Sequence, residues 1–62
     1  MSTETIIKGN WNELKGKLKK KYANLTEDDL LYDEGKEDEL LGRLQKKLGK
    51  SDSEIREFLR KL

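Results

Sequence analysis

The sequence predicts an all-α domain of four helices, and three observations carry that prediction. The first is an internal repeat with a 26-residue offset, in which Gly9–Tyr22 (GNWNELKGKLKKKY) aligns with Gly35–Leu48 (GKEDELLGRLQKKL). Gly9/Gly35, Glu13/Glu39, Leu14/Leu40, Gly16/Gly42, Leu18/Leu44, Lys20/Lys46 and Lys21/Lys47 are identical, and Lys17/Arg43 is conservative. The second is that apolar residues recur at three- and four-residue steps, the helical period. The third is a helix-start signal after each copy, Thr26 and then Ser51. A short period of this kind marks one supersecondary unit used twice. Here the unit reads as a long helix, a turn and a shorter helix.

Ile7, Trp11, Leu14, Leu18 and Tyr22 form one stripe of a first helix expected from roughly Thr5 to Ala23, with residues 1–4 a short flexible lead-in. Thr26 is placed to cap a second, short helix near Glu27 to Glu34, with Glu27, Asp28 and Asp29 favouring the positive end of its dipole. That helix has only Leu30, Leu31 and Tyr32 as apolar residues, too few to hold in water alone, so it must dock on the long helices. Leu40, Leu41, Leu44 and Leu48 make the stripe of the third helix, which Gly49 ends. Ser51 with Glu54 forms a capping box for the fourth, with Ser53 as the alternative cap and Ile55, Phe58, Leu59 and Leu62 as its apolar face.

These stripes predict one core containing Trp11 and Phe58 with Leu14, Leu18, Leu40, Leu44 and Leu59. Gly16 and Gly42 sit mid-helix at matched places, where glycine costs about 1 kcal/mol relative to alanine. A close helix crossing that needs the missing side chain is the expected compensation.

At 62 residues the chain is expected to be a single domain over 1–62 whose folding buries only about 60% of its unfolded surface, leaving no room for a deep pocket. It has no Cys and no His, so disulfides, thiolate zinc sites and the commonest general base are missing. An enzyme is therefore not expected, nor a cofactor. The N-terminus MSTETIIK has no signal-peptide pattern and no window is apolar enough for a membrane span, which points to a soluble, cytoplasmic protein. The acidic stretch Glu27–Glu39 lacks the glycine placement of an EF-hand loop, and its first acids are accounted for by the helix dipole, so no metal site is expected. Asn24-Leu25-Thr26 matches a glycosylation triplet, but with no export signal Thr26 is read as a cap.

Charge falls in blocks that the net +1 conceals. Residues 1–24 hold six Lys and two Glu, residues 25–40 eight acids and Lys36, and the remainder seven basic and three acidic residues. Lys15, Lys17, Lys19, Lys20 and Lys21, near Trp11 and Tyr22, are the candidate nucleic-acid contacts, since ammonium groups neutralise phosphates and aromatic rings stack on bases. A solvated face partnered by the acidic block is favoured instead, because both aromatics lie on the apolar stripe and the overall charge is nearly balanced. Any nucleic-acid binding is expected to be weak and sequence-independent, no tighter than about 10 μM at physiological salt.

The run Gly9-Asn-Trp with Leu14-Lys-Gly16-Lys, then Leu25-Thr26-Glu-Asp-Asp-Leu30, Glu34-Gly35-Lys, Asp38-Glu-Leu40-Leu-Gly42 and Gln45, resembles the CsbD-like family of small bacterial general-stress proteins over nearly the whole chain. Ala23 departs from it, standing where the family often has Gly after the aromatic residue. The resemblance implies a small all-helical fold of two packed hairpins, similar in outline to SAM-domain-like folds, and induction under stress, and it assigns no molecular activity. Three function classes follow: a non-enzymatic binding or protective stress protein, a weak nucleic-acid-associated protein using the Lys-rich first helix, and a protein-interaction module with an unknown protein partner. A monomer without membrane attachment is expected in each case.

Overall fold

The computed structural model describes residues 2–62. Helix α1 (Thr3–Lys21) begins at Ser2, whose Oγ accepts from the Thr5 backbone N–H at 3.2 Å. The expected lead-in therefore overlaps the cap and first turn: Thr3 is buried and Glu4 bonds to Arg56, while Met1 lies outside the described residues. Ile7, Trp11, Leu14 and Leu18 all point inward, as their spacing requires. Asn10 leaves helical geometry (φ −147°, ψ 25°), so α1 kinks just before its centre. It follows Gly9, and two poor helix formers in succession give a bend its lowest cost.

The expected second helix is absent, and the described residues form three helices rather than four or two paired hairpins. The start signal at Thr26 is genuine. Thr26 Oγ1 accepts from Asp29 N–H at 3.2 Å, and Asp29 Oδ2 accepts from Thr26 N–H at 2.9 Å. Leu30 N–H then reaches the Thr26 and Glu27 carbonyls at 3.2 and 3.1 Å, which closes one turn. Nothing sustains a second. The residues three and four beyond Leu30 are Asp33 and Glu34, so continued helix would bury no further apolar surface. The chain instead leaves the helical path, sets Tyr32 edge-on to Trp11 with ring centroids 6.0 Å apart, and turns at Gly35 with φ 90°.

Helix α2 (Glu37–Leu48) carries three acids in its first turn and two lysines in its last, both favourable to the dipole. Gly49, at φ 65°, ends it in the left-handed conformation glycine tolerates best, with its N–H on the Gln45 carbonyl. Helix α3 (Asp52–Lys61) opens on the expected capping box: Glu54 N–H to Ser51 Oγ at 3.2 Å and Ser51 N–H to Glu54 Oε1 at 3.0 Å.

The three helices all touch one another around a single core of Ile7, Trp11, Leu14, Leu18, Leu25, Leu30, Leu40, Leu41, Leu44, Ile55 and Leu59. The exposed surface of 4148 Å² is close to the roughly 4200 Å² of a compact monomer this size, so no element stands away from the core. Leu30 and Ile55 occupy matching places, each four residues after its capping Thr or Ser and each 1% exposed. The aborted copy thus keeps one buried leucine at the place relative to its cap that Ile55 holds in α3, one residue off the 26-residue repeat. Phe58, expected in the core, lies instead at its rim, half-buried against the Tyr22 edge at 5.4 Å.

Gly16 and Gly42 do not mark a helix crossing. Beyond its own stretch of helix backbone, a Cβ at either would meet no atom within 4 Å. With no crowding to oppose it, helix propensity decides, and Gly16→Ala and Gly42→Ala are each expected to stabilise the fold by about 1 kcal/mol. Urea midpoints of the two variants check this; a lower midpoint in either would restore the crossing. Gly35 and Gly49, at positive φ, should respond in the opposite sense.

Candidate functional site

The densest polar arrangement lies where the acidic turn 26–31 meets the basic faces of α1 and α2. Lys15 and Lys19 are four residues apart on α1 and so project from one face. Both ammonium groups reach the Glu27 carboxylate, Lys15 Nζ at 3.0 Å from Oε2 and Lys19 Nζ on Oε1. From the other side, Lys47 of α2 stands 3.5 Å from Asp29 Oδ2. Arg43 Nη1 points at the carbonyls of Asp28, Asp29 and Leu31, at 3.2, 3.3 and 2.8 Å. These are the carbonyls that a continuing helix would have satisfied, so the guanidinium takes over their capping. Trp11 Nε1 donates to the Leu30 carbonyl at 3.0 Å and pins the same turn from beneath.

The five candidate lysines separate on this geometry. Lys15 and Lys19 are engaged with Glu27, Lys17 stands 3.7 Å from Glu13 on its own helix, Lys21 lies 5.8 Å from the Phe58 ring centroid, and Lys20 is exposed. Three contacts that spacing did not indicate join them: the Arg43 cap, the Trp11 indole bond and the Glu4–Arg56 pair at 2.8 Å that ties α1 to α3. Arg43 carried one signal, being the arginine at a repeat position where the first copy has Lys17.

Four carboxyl groups are held below their usual range. Glu4 is lowered by its hydrogen bond from Arg56, Asp29 by the Thr26 backbone N–H, Glu54 by the Ser51 backbone N–H, and Glu57 by Lys61. The unfolded chain therefore takes up protons at higher pH than the folded one. The stability these groups add is complete above their usual values of 4.5 for Glu and 3.8 for Asp, and is lost as pH falls through the lower folded values. Burial, followed by Glu37 and Glu34, raises the Tyr32 hydroxyl above 10.0, which acts oppositely and withdraws stability in alkali. Neither the Tyr32 hydroxyl nor Glu37 Oε2 has a hydrogen-bond partner of ordinary geometry among the described residues. With no His, the thermal midpoint is expected to be flat from about pH 6 to 9 and to fall below about pH 4.5. A midpoint constant down to pH 2 would contradict the role given to these carboxylates.

A hollow of about 400 Å³ lined by Ser2, Thr3, Ser53, Arg56, Glu57 and Arg60 is open rather than enclosed. Among the described residues no three Asp or Glu side chains group as metal ligands, and no helix is long and apolar enough to cross a membrane.

The motifs that surround this turn, Leu25-Thr-Glu-Asp-Asp-Leu30 and Gly9-Asn-Trp11, fall inside a match of residues 5–57 to the family model described as CsbD-like. The chain belongs to the CsbD-like family. It is 39% identical over 57 residues to UPF0337 protein PA4738 of Pseudomonas aeruginosa, covering 86% of this chain and 88% of that one. It is 51% identical over 41 residues to UPF0337 protein ECA0631 of Pectobacterium atrosepticum and 46% identical over 41 residues to UPF0337 protein YjbJ of Escherichia coli K12. Those two alignments cover 66% of this CsbD-like chain and 59% of each relative's length. No solved structure matches it significantly.

Proposed function

We propose that this CsbD-like protein serves the bacterial general stress response without catalysis, in the cytoplasm, through contacts of its folded, charged surface with other macromolecules. The family match over residues 5–57 carries this reading. A second mode, generic protection of other molecules by an abundant hydrophilic chain, makes a different demand, because a hydrophilic filler works as well unfolded. Dependence on the fold is favoured by the way the surface is organised: capping boxes at Thr26 and Ser51 and an arginine spent on three turn carbonyls specify one structure in detail. The test expresses wild type and Trp11→Ala at matched levels in a deletion strain and scores survival under osmotic and desiccation stress. Rescue by wild type alone is the expected result. Equal rescue by both would contradict a role that needs the fold, and a deletion without phenotype would remove the stress role itself.

A further inference from the structure

We infer that Lys15 and Lys19 form a phosphate-binding site for nucleic-acid backbone that the protein's own Glu27 occupies in cis. Two ammonium groups from one helix face converge on a single carboxylate, which leaves the cluster with an excess positive charge. Glu27 lies two residues before Asp29, and Asp29 is met by Lys47 from α2. Lysines from two helices thus flank the turn, Lys15 and Lys19 of α1 on Glu27 and Lys47 of α2 beside Asp29, so a strand whose phosphate displaced Glu27 would meet further positive charge next to it. That flanking charge favours a nucleic-acid strand over an isolated phosphate group.

The site can change occupant without unfolding. The turn is anchored by other means: Leu25 and Leu30 are buried, the Trp11 indole holds the Leu30 carbonyl, and Asp29 is committed to the Thr26 box. The Glu27 carboxylate bonds Lys15 and Lys19 and takes no part in the turn's backbone bonding, and its side chain is 61% exposed. Only this carboxylate has to swing away for a phosphate oxygen to take its place. Side-chain exposure of 33% for Lys15 and 39% for Lys19 leaves both reachable from solvent. An internal competitor tethered beside the site acts at high effective concentration, which keeps wild-type affinity low.

The probe is a fluorescein-labelled 20-nucleotide oligothymidylate, titrated by anisotropy at 50 mM and 150 mM salt. Glu27→Gln is expected to bind about fivefold or more tightly than wild type at 50 mM salt, with the slope of log Kd against log salt steeper by about 0.7 for each phosphate newly contacted. Adding Lys15→Gln and Lys19→Gln to that variant should return both affinity and slope to wild-type level or below. Asp38→Asn removes the same charge from the exposed start of α2, outside the cluster, and should change affinity less than about twofold. Circular dichroism checks that each variant is folded, and Glu27→Ala repeats the measurement with a side chain that has no amide. Equal gains from Glu27→Gln and Asp38→Asn would overturn the inference by showing a net-charge effect alone. So would a Glu27→Gln gain that survives loss of both lysines, or no gain from either Glu27 variant.

Discussion

Trp11→Ala is expected to leave the chain largely unfolded at 25 °C. Removing a buried indole costs about 3 to 5 kcal/mol through lost transfer and the cavity left behind, and a domain this small has little more than that in total. Trp11 also contributes more than volume. Its Nε1–H satisfies the Leu30 carbonyl and its ring takes the edge of Tyr32, so truncation removes an anchor of the turn 26–31 together with the centre of the core. Circular dichroism should show loss of most helical signal, whereas Trp11→Phe, which keeps a ring but orphans the carbonyl, should remain folded with a lowered midpoint. Phe58→Ala provides the contrast. At the rim of the core it should cost only about 1 to 2 kcal/mol, so a Phe58→Ala loss equal to that of Trp11→Ala would contradict its placement.

Leu44→Ala carries the next largest effect, about 2 to 5 kcal/mol. Leu44 is fully buried in α2, and its repeat mate Leu18 is fully buried in α1. Each is a central residue of its stripe, so the truncation opens a cavity that the neighbouring helices cannot close without shifting as rigid bodies. Leu31→Ala should be close to neutral by the same reasoning, since Leu31 is 61% exposed. Urea unfolding of the pair checks both. A Leu44→Ala loss below about 1 kcal/mol would mean that α2 does not seat on the core.

The elements that could be read from the sequence are those in which one residue type at one spacing has a single physical solution. The stripe Ile7, Trp11, Leu14, Leu18 could only face inward, Ser51 with Glu54 could only begin a helix, and Gly49 could only end one. The extent of the second helix is not legible, because a start signal says nothing about length. Length depends on a second apolar turn, and Asp33 and Glu34 stand where it would have to be. The glycines mislead for a related reason. Their matched positions follow from the internal repeat, whereas a crossing depends on where other helices run, which the repeat does not state. At the candidate site, the pairing of the basic helix with the acidic block could be anticipated from charge blocks alone, but not that Glu27 would take two lysines and Asp29 a third. Partner choice there is set by how the turn leaves α1, and that follows from where Leu25 and Leu30 are buried.

The Trp11–Leu30 bond joins the core, the aborted helix and the acidic turn, so the solvent exchange rate of the Trp11 indole Nε1–H tests the account most directly. Measured by NMR in deuterated buffer at neutral pH, this single proton should exchange at least about a hundredfold more slowly than the indole of free tryptophan, because exchange requires the turn to open. Exchange at the free-indole rate in a chain that remains helical would show that the turn is not held to the core, and would remove the anchor on which both the fold and the Glu27 cluster depend.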